Sequence, residues 1–238
     1  MSPSPKRDGP LISPQSIACT STPIAVGPLC FAWPLLYRQV KVFSPKSGMN
    51  IVATVRALNQ RAAKEKWYHY CGPSLAFSDH SYDHLLDVWR AKAGGRRMPR
   101  RSALTPRDLK DILRNIVLAE RMERGPSRYR MRLVGTGLTD IVGNATGKMI
   151  DEVVSPDLAA RWIECCDLVL DGGQPMRFLG RVHLEGREYL DAENLYVPLS
   201  NDAGEPIFVM ALCRYTPRRT QDEQSWENQI AAMPSAIL

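Results

Sequence analysis

Cysteine and histidine are the residue types in this chain best suited to nucleophilic or metal chemistry, and their spacing favours neither. The six cysteines are Cys19, Cys30, Cys71, Cys165, Cys166 and Cys213. No two make a Cys-x-x-Cys pair, and adjacent Cys165 and Cys166 are poor disulfide partners within a helix. The thiols read as free, and the compartment as a reducing cytoplasm. A nucleophilic thiol needs a base beside it. Cys165-Cys166 has only Arg161 as a local basic neighbour, so buried, inert cysteine is favoured over a redox sensor. His80 and His84 stand at i, i+4, which is ligand spacing. No Glu follows His80 as in a zinc-hydrolase helix, and a third ligand is missing, so solvated helix-face histidines are favoured. Gly135-Thr136-Gly137-Leu138-Thr139 begins like a phosphate loop but lacks the later Gly-Lys-Ser/Thr. Its glycines read as a tight strand-to-helix turn. Spread-out Asp and Glu supply no paired acid and base. No catalytic residue and no metal site is assigned.

The densest charge is basic: Arg90, Lys92, Arg96, Arg97, Arg100 and Arg101. Guanidinium forks suit carboxylate and phosphate groups. Two readings compete. In one, the run is a solvated linker whose arginines pair with Asp108, Asp111 or Glu120. In the other, Arg96, Arg97, Arg100 and Arg101 form a contact surface. With Arg128, Arg130 and Arg132 on one strand face, that surface would serve a nucleic-acid- or nucleotide-binding regulator. A formal net charge of +6 permits such a partner without demanding one. No nucleic-acid fold signature accompanies the run, and aromatics are not interleaved with it, so nucleic acid is disfavoured.

The elements that must position these groups follow from periodicity. Hydrophobic residues make up 44% and charged ones 24%, so the chain can build an ordinary globular core. No apolar run approaches the roughly 20 residues of a membrane helix. Pro28 to Tyr37 is apolar but short and interrupted by Pro34, which does not make a secretory signal. Residues 1–77 read as an N-terminal extension, largely disordered or a mis-assigned start. Residues 1–48 are rich in Pro, Ser and Gly, and Met49 is an alternative initiator. Within the extension, residues 50–66 carry a weak helical face, and residues 67–77 read as a loop.

Residues 78–104 form a flanking helix and basic linker. Ser78 or Asp79 caps the helix, and Tyr82, Leu85, Leu86 and Trp89 fall on one face. Gly94-Gly95 ends it. Residues 105–216 form the domain proper. Thr105-Pro106-Arg107-Asp108 is a capping box opening a short helix that buries Leu109, Ile112 and Leu113. A strand over 115–121 and a turn at Gly125-Pro126 follow. In the next strand Tyr129, Met131 and Leu133 share one side, with Arg128, Arg130 and Arg132 on the other. Short turns lead to a helix from Pro156 to about Leu170, with Leu158, Trp162, Cys165 or Cys166 and Val169 as its buried stripe. Strands near 176–182, 188–199 and 207–215 close the domain, and residues 217–238 form a tail.

The motifs combine in a particular order. Trp89, Gly94-Gly95-Arg96, Pro99-Arg100 and Pro106 precede Tyr129-Arg130-Met131-Arg132-Leu133-Val134-Gly135-Thr136-Gly137. Gly147-Lys148 and Tyr196-Val197-Pro198-Leu199 come after. In that order they resemble a bacterial family of small stand-alone PAS-like proteins. There a tryptophan-bearing helix and a GGRxxPxR turn lead into an RLxGT strand, with an LPL strand near the end. Val197-Pro198-Leu199 departs only slightly from the last. The resemblance spans about residues 80–215.

It implies an α+β, PAS-like fold: a five-stranded antiparallel sheet with helices on one face, preceded by an N-terminal helix. It implies a non-enzymatic sensory or regulatory module that contacts a protein partner or a second copy, tuned by a small ligand. A PAS domain can hold a ligand between the sheet and the long helix. Trp162, Cys166, Met176, Phe178, Tyr189 and Tyr196 are the side chains placed to line such a pocket, and a filled core is the competing reading. No cofactor is expected. Haem would want an axial ligand on the long helix, which has no histidine. A photoactive flavin would want a reactive cysteine, and Gly143 to Lys148 has none. The flanking helix must bury its apolar face against a partner, a second copy or its own sheet.

Overall fold

A computed structural model describes residues 49–72, 74–77, 79–122 and 128–218. Six strands form one antiparallel sheet in the order β1-β4-β5-β6-β2-β3. They are β1 (His69–Cys71), β2 (Ile116–Arg121), β3 (Tyr129–Val134), β4 (Met176–Arg181), β5 (Leu190–Ser200) and β6 (Pro206–Pro217). The helices are α1 (Ile51–Lys64), α2 (His80–Ala93), the single turn α3 (Thr139–Val142) and α4 (Pro156–Gly172). The five expected strands are β2 to β6, and β1 is a sixth at the edge.

Both faces of the sheet are covered, which explains the apolar runs Leu195–Leu199 in β5 and Ile207–Cys213 in β6. Along β6, Val209, Ala211 and Cys213 belong to one core, while Met210 and Leu212 belong to the other. The front core joins those first residues to Leu168, Val169, Cys165 and Cys166 of α4. The back core joins Met210 and Leu212 to Tyr82, Leu85, Leu86 and Trp89 of α2. Burying these four α2 side chains stabilises the fold by on the order of 10 kcal/mol. Polar bonds fix the register. The Trp89 Nε1–H donates to the Pro198 carbonyl at 2.8 Å, and the Tyr82 hydroxyl to the Glu193 carbonyl at 2.6 Å. The helix left open between partner, second copy and own sheet therefore buries its apolar face on its own sheet. Asp79 supplies the cap through Ser81 N–H, and Gly94 closes the helix in the left-handed region.

Three expectations are corrected. Within the expected loop 67–77, His69–Cys71 forms a strand, and ordered elements begin before residue 78. α1 packs on the front core, and β1 pairs with β4 through His69↔Gly180, Tyr70↔Leu179 and Cys71↔Phe178. Fully buried Asn59 on α1 exchanges two bonds with the Cys71 backbone, at 3.0 and 2.9 Å. Three residues are too few to show a strand period, and what orders them is the free edge of β4 together with Asn59. Second, the Thr105 capping box forms, with Asp108 accepting from the Thr105 N–H at 2.8 Å and its hydroxyl at 2.7 Å. It opens not a helix but successive i→i+3 turns, which still bury Leu109 and Ile112. Third, β3 does not keep one alternation. The register with β2 slips between Leu118 and Ala119, pairing Leu118 with Leu133 but Ala119 with Met131. This bulge sends Leu133 to the back core while Tyr129 and Met131 stay in front.

The turn expected at Gly125-Pro126, the expectation for residues 1–48 and the tail beyond residue 218 lie outside the described residues. β6 runs to Pro217, and Arg218 beyond it reaches Asp191 at 3.3 Å. Among the described residues, no helix is long and apolar enough to cross a membrane.

Candidate ligand-binding site

α4 lies across the front of the sheet, and polar bonds tie down its C-terminal half. The Tyr129 hydroxyl donates to Asp167 at 2.6 Å, while Arg121 reaches Asp167 at 3.4 Å and Asp171 at 3.3 Å. The helix stops at Gly173, whose φ of +63° suits glycine.

Toward the other half of α4, Leu158, Arg161, Trp162 and Cys166 line one wall of a cavity of about 80 Å³. That is several times the roughly 10–15 Å³ that one water needs. The floor is the sheet, where Ala119, Ala192 and Ala211 stand among the lining residues. These short side chains leave space that larger ones would fill. Leu138, Val142 and Ile150 close the side next to β3, and Arg181, Val182 and His183 the side after β4. The last wall is Trp67, from the segment joining α1 to β1, and His69, the first residue of β1. Lys66 and Tyr68, on either side of Trp67, both adopt positive φ (54° and 49°). Such backbone strain in non-glycine residues is concentrated at functional sites.

Polar groups inside are few and exceptional. Asn194, on β5 between Phe178 and Cys213, is 5% exposed, and its Oδ1 is buried with no hydrogen-bond partner. Native structures leave few such groups. Arg161 has a buried Nε that is likewise unpartnered, and its guanidinium lies over the Trp67 ring at 5.3 Å. His69 stacks on Phe178 at 5.6 Å and has its Nε2 3.4 Å from the Cys165 thiol. Burial, with Arg161 and His183 adding to it, lowers the His69 pKa to about 4. Burial also holds the Cys165 thiol far above its usual range. Both groups are neutral near pH 7, so they are not the thiolate–imidazolium pair that nucleophilic attack uses. Cys71 and Cys213 are pushed up to about 12 by burial, and all four described cysteines are unpaired.

Of the expected pocket residues, Trp162, Cys166 and Tyr196 line the cavity. Met176 and Phe178 do not. Both are buried in the front core, where Phe178 fills the gap between the His69 and Tyr196 rings. Tyr189 is 56% exposed, because it sits in the loop before β5 rather than on the strand. Sequence reasoning missed Asn194, Arg161, Trp67 and His69. The available signal was Asn194 itself, a polar residue at an inward position of β5 between Ala192 and Tyr196.

The four linker arginines do not form one free array. Arg97 donates to the Asp171 carbonyl at 2.9 Å, Arg96 to the Lys92 carbonyl and Arg101 to the Leu104 carbonyl, each at 3.0 Å. Arg100 is exposed, with its backbone bridged to Ser200. The expected acid partners are used otherwise: Asp108 pairs with Lys92 at 3.0 Å and Glu120 with Arg132 at 3.5 Å. Just before β3, Arg128 is clamped by Asp151. His80 and His84 are exposed, and among the described residues no three His, Cys, Asp or Glu side chains converge as a metal site would require.

Among known families, the model for the PAS domain matches residues 77–213. No curated protein matches the chain.

Proposed function

The chain belongs to the PAS domain family of sensory and regulatory modules, and we propose that it works by binding a small ligand in the front cavity and passing occupancy to a protein partner, without catalysis. The observation that carries this reading is Asn194. An inward amide oxygen without a partner, on the floor of a cavity, is costly to a protein that has no use for it. A volume of about 80 Å³ lies below the roughly 300–1,000 Å³ of drug-sized pockets and suits a small ligand.

Haem and a photoactive flavin are not part of the proposal. α4 carries no histidine, the Nε2 of His69 faces Cys165, and Gly143 to Lys148 holds no cysteine. Unpaired buried thiols support a reducing compartment such as the cytoplasm. Trp67 and His69 precede the matched residues and touch the cavity, so α1 and β1 are the elements through which occupancy would reach a partner. A nucleic-acid role draws less support, because Arg128 and Arg132 face acids and Arg97 is turned onto the chain's own backbone.

The test is native mass spectrometry of the full chain before and after denaturation, with hydrogen exchange measured in α1 and β1. A released small molecule, whose removal speeds exchange there, is the expected result. A chain that is empty as purified, and whose exchange no added small molecule alters, would overturn the proposal.

A further inference from the structure

The cavity is lined by two arginines and by no carboxylate. Arg161 is the more exceptional of the two. Its guanidinium sits over Trp67, its Nε is buried and unpartnered, and the nearby Glu164 is occupied by Arg61 at 2.9 Å. Arg181 lies over Tyr68 at 4.7 Å. The remaining walls are mostly apolar. A cationic ligand would meet two guanidinium groups with no acid to balance them. A neutral apolar ligand would cover Arg161 and leave its charge without a counter-ion, which is unfavourable in a partly dry site. An anion with a short apolar body satisfies both the charge and the walls.

Resting on the reading of this cavity as a ligand site, we infer that it takes a small aliphatic or aromatic carboxylate, with the carboxylate on Arg161 and a second polar group of the ligand on the Asn194 amide. Guanidinium suits this role because its planar fork matches the two carboxylate oxygens. Asn194 then sets specificity among carboxylates, since a ligand that leaves its amide unpaired binds less tightly.

Trp67 and Trp162 both line the cavity, so intrinsic tryptophan fluorescence of the full chain reports on occupancy. The probes are hexanoate, 1-hexanol, hexylamine and 6-hydroxyhexanoate. Hexanoate is expected to bind about ten-fold tighter than 1-hexanol, the worth of a charge-assisted bond. Hexylamine is expected not to bind, and 6-hydroxyhexanoate to bind several-fold tighter than hexanoate. Arg161→Gln should abolish the preference for hexanoate over 1-hexanol while leaving 1-hexanol binding in place, and Asn194→Leu should abolish the gain from the hydroxyl. If Arg161→Gln fails to fold, the ranking in the unsubstituted chain still decides, with Arg161→Lys expected to keep the preference. Equal binding of hexanoate and 1-hexanol overturns the anion assignment while the ligand site stands. Binding of none of the four overturns the carboxylate assignment, and the ligand-site reading then stands or falls on whether native mass spectrometry releases a small molecule.

Discussion

Replacing Asn194 with leucine separates a ligand site from an ordinary feature of packing. The amide is 95% buried, as its 5% exposure states, and its Oδ1 lacks a partner. Removing an unsatisfied buried polar group recovers its desolvation cost of about 1–3 kcal/mol. Leucine is larger than asparagine, and the adjoining cavity has room for the added volume. The expected change is therefore stabilising. At about 2–4 °C per kcal/mol for a chain of this length, the melting temperature should rise by about 2–12 °C. Thermal unfolding followed by circular dichroism, with urea unfolding as a second measure, reads the change. Stabilisation together with weaker ligand binding is the trade-off expected where a residue is kept for function. A melting temperature that is unchanged or lower would refute the reasoning. It would mean that the amide is satisfied in the free protein, by an ordered water for instance, and serves the fold.

The pKa of His69, lowered from 6.5 to about 4, gives a pH signature. The unfolded chain binds the proton more readily, so this contribution is complete above pH 6.5 and is lost as pH falls toward 4, with about 2 kcal/mol gone between pH 7 and pH 5. Urea unfolding at both values should show a smaller loss in His69→Gln, and equal losses in the two proteins would contradict the assignment. Trp89→Phe takes the donor from the Pro198 carbonyl and should cost about 1–3 kcal/mol, whereas a loss below about 0.5 kcal/mol would mean that the bond does not hold α2 to the sheet. Gly173→Ala places a methyl group at positive φ and against the Arg97 guanidinium. It should cost about 2–3 kcal/mol and release Arg97 from Asp171, and wild-type stability would remove the linker's anchor from the account.

The linker shows how composition can mislead about a surface. Six basic residues within twelve positions look like an interface, yet three of the four linker arginines bond to carbonyls of their own chain. Nothing in the spacing of Arg97 foretells Asp171, which lies 74 residues away. The pocket shows the reverse. Trp162, Cys166 and Tyr196 were legible because helical and strand periods put them on faces turned toward one another. Tyr189 was misplaced because β5 begins at Leu190, two residues after the expected start at 188, which leaves Tyr189 in the preceding loop and exposed.

The sequence alone determined α2, α4, the order of strands β2 to β6 and most of their inward faces. Apolar period, caps and glycine stops are local, and they act through bonds between near neighbours: Asp79 caps α2, Gly94 ends it, and Gly173 ends α4. Tertiary structure alone decided what those elements enclose. It brought β1 to the free edge of β4, turned Leu133 away at a bulge, set α2 on its own sheet, and left the Arg161 Nε and the Asn194 Oδ1 without hydrogen-bond partners at one cavity. A void and an unsatisfied polar atom are properties of how distant segments meet. They arise where short side chains from β2, β5 and β6 happen to face the same helix, and no single stretch of chain contains that information.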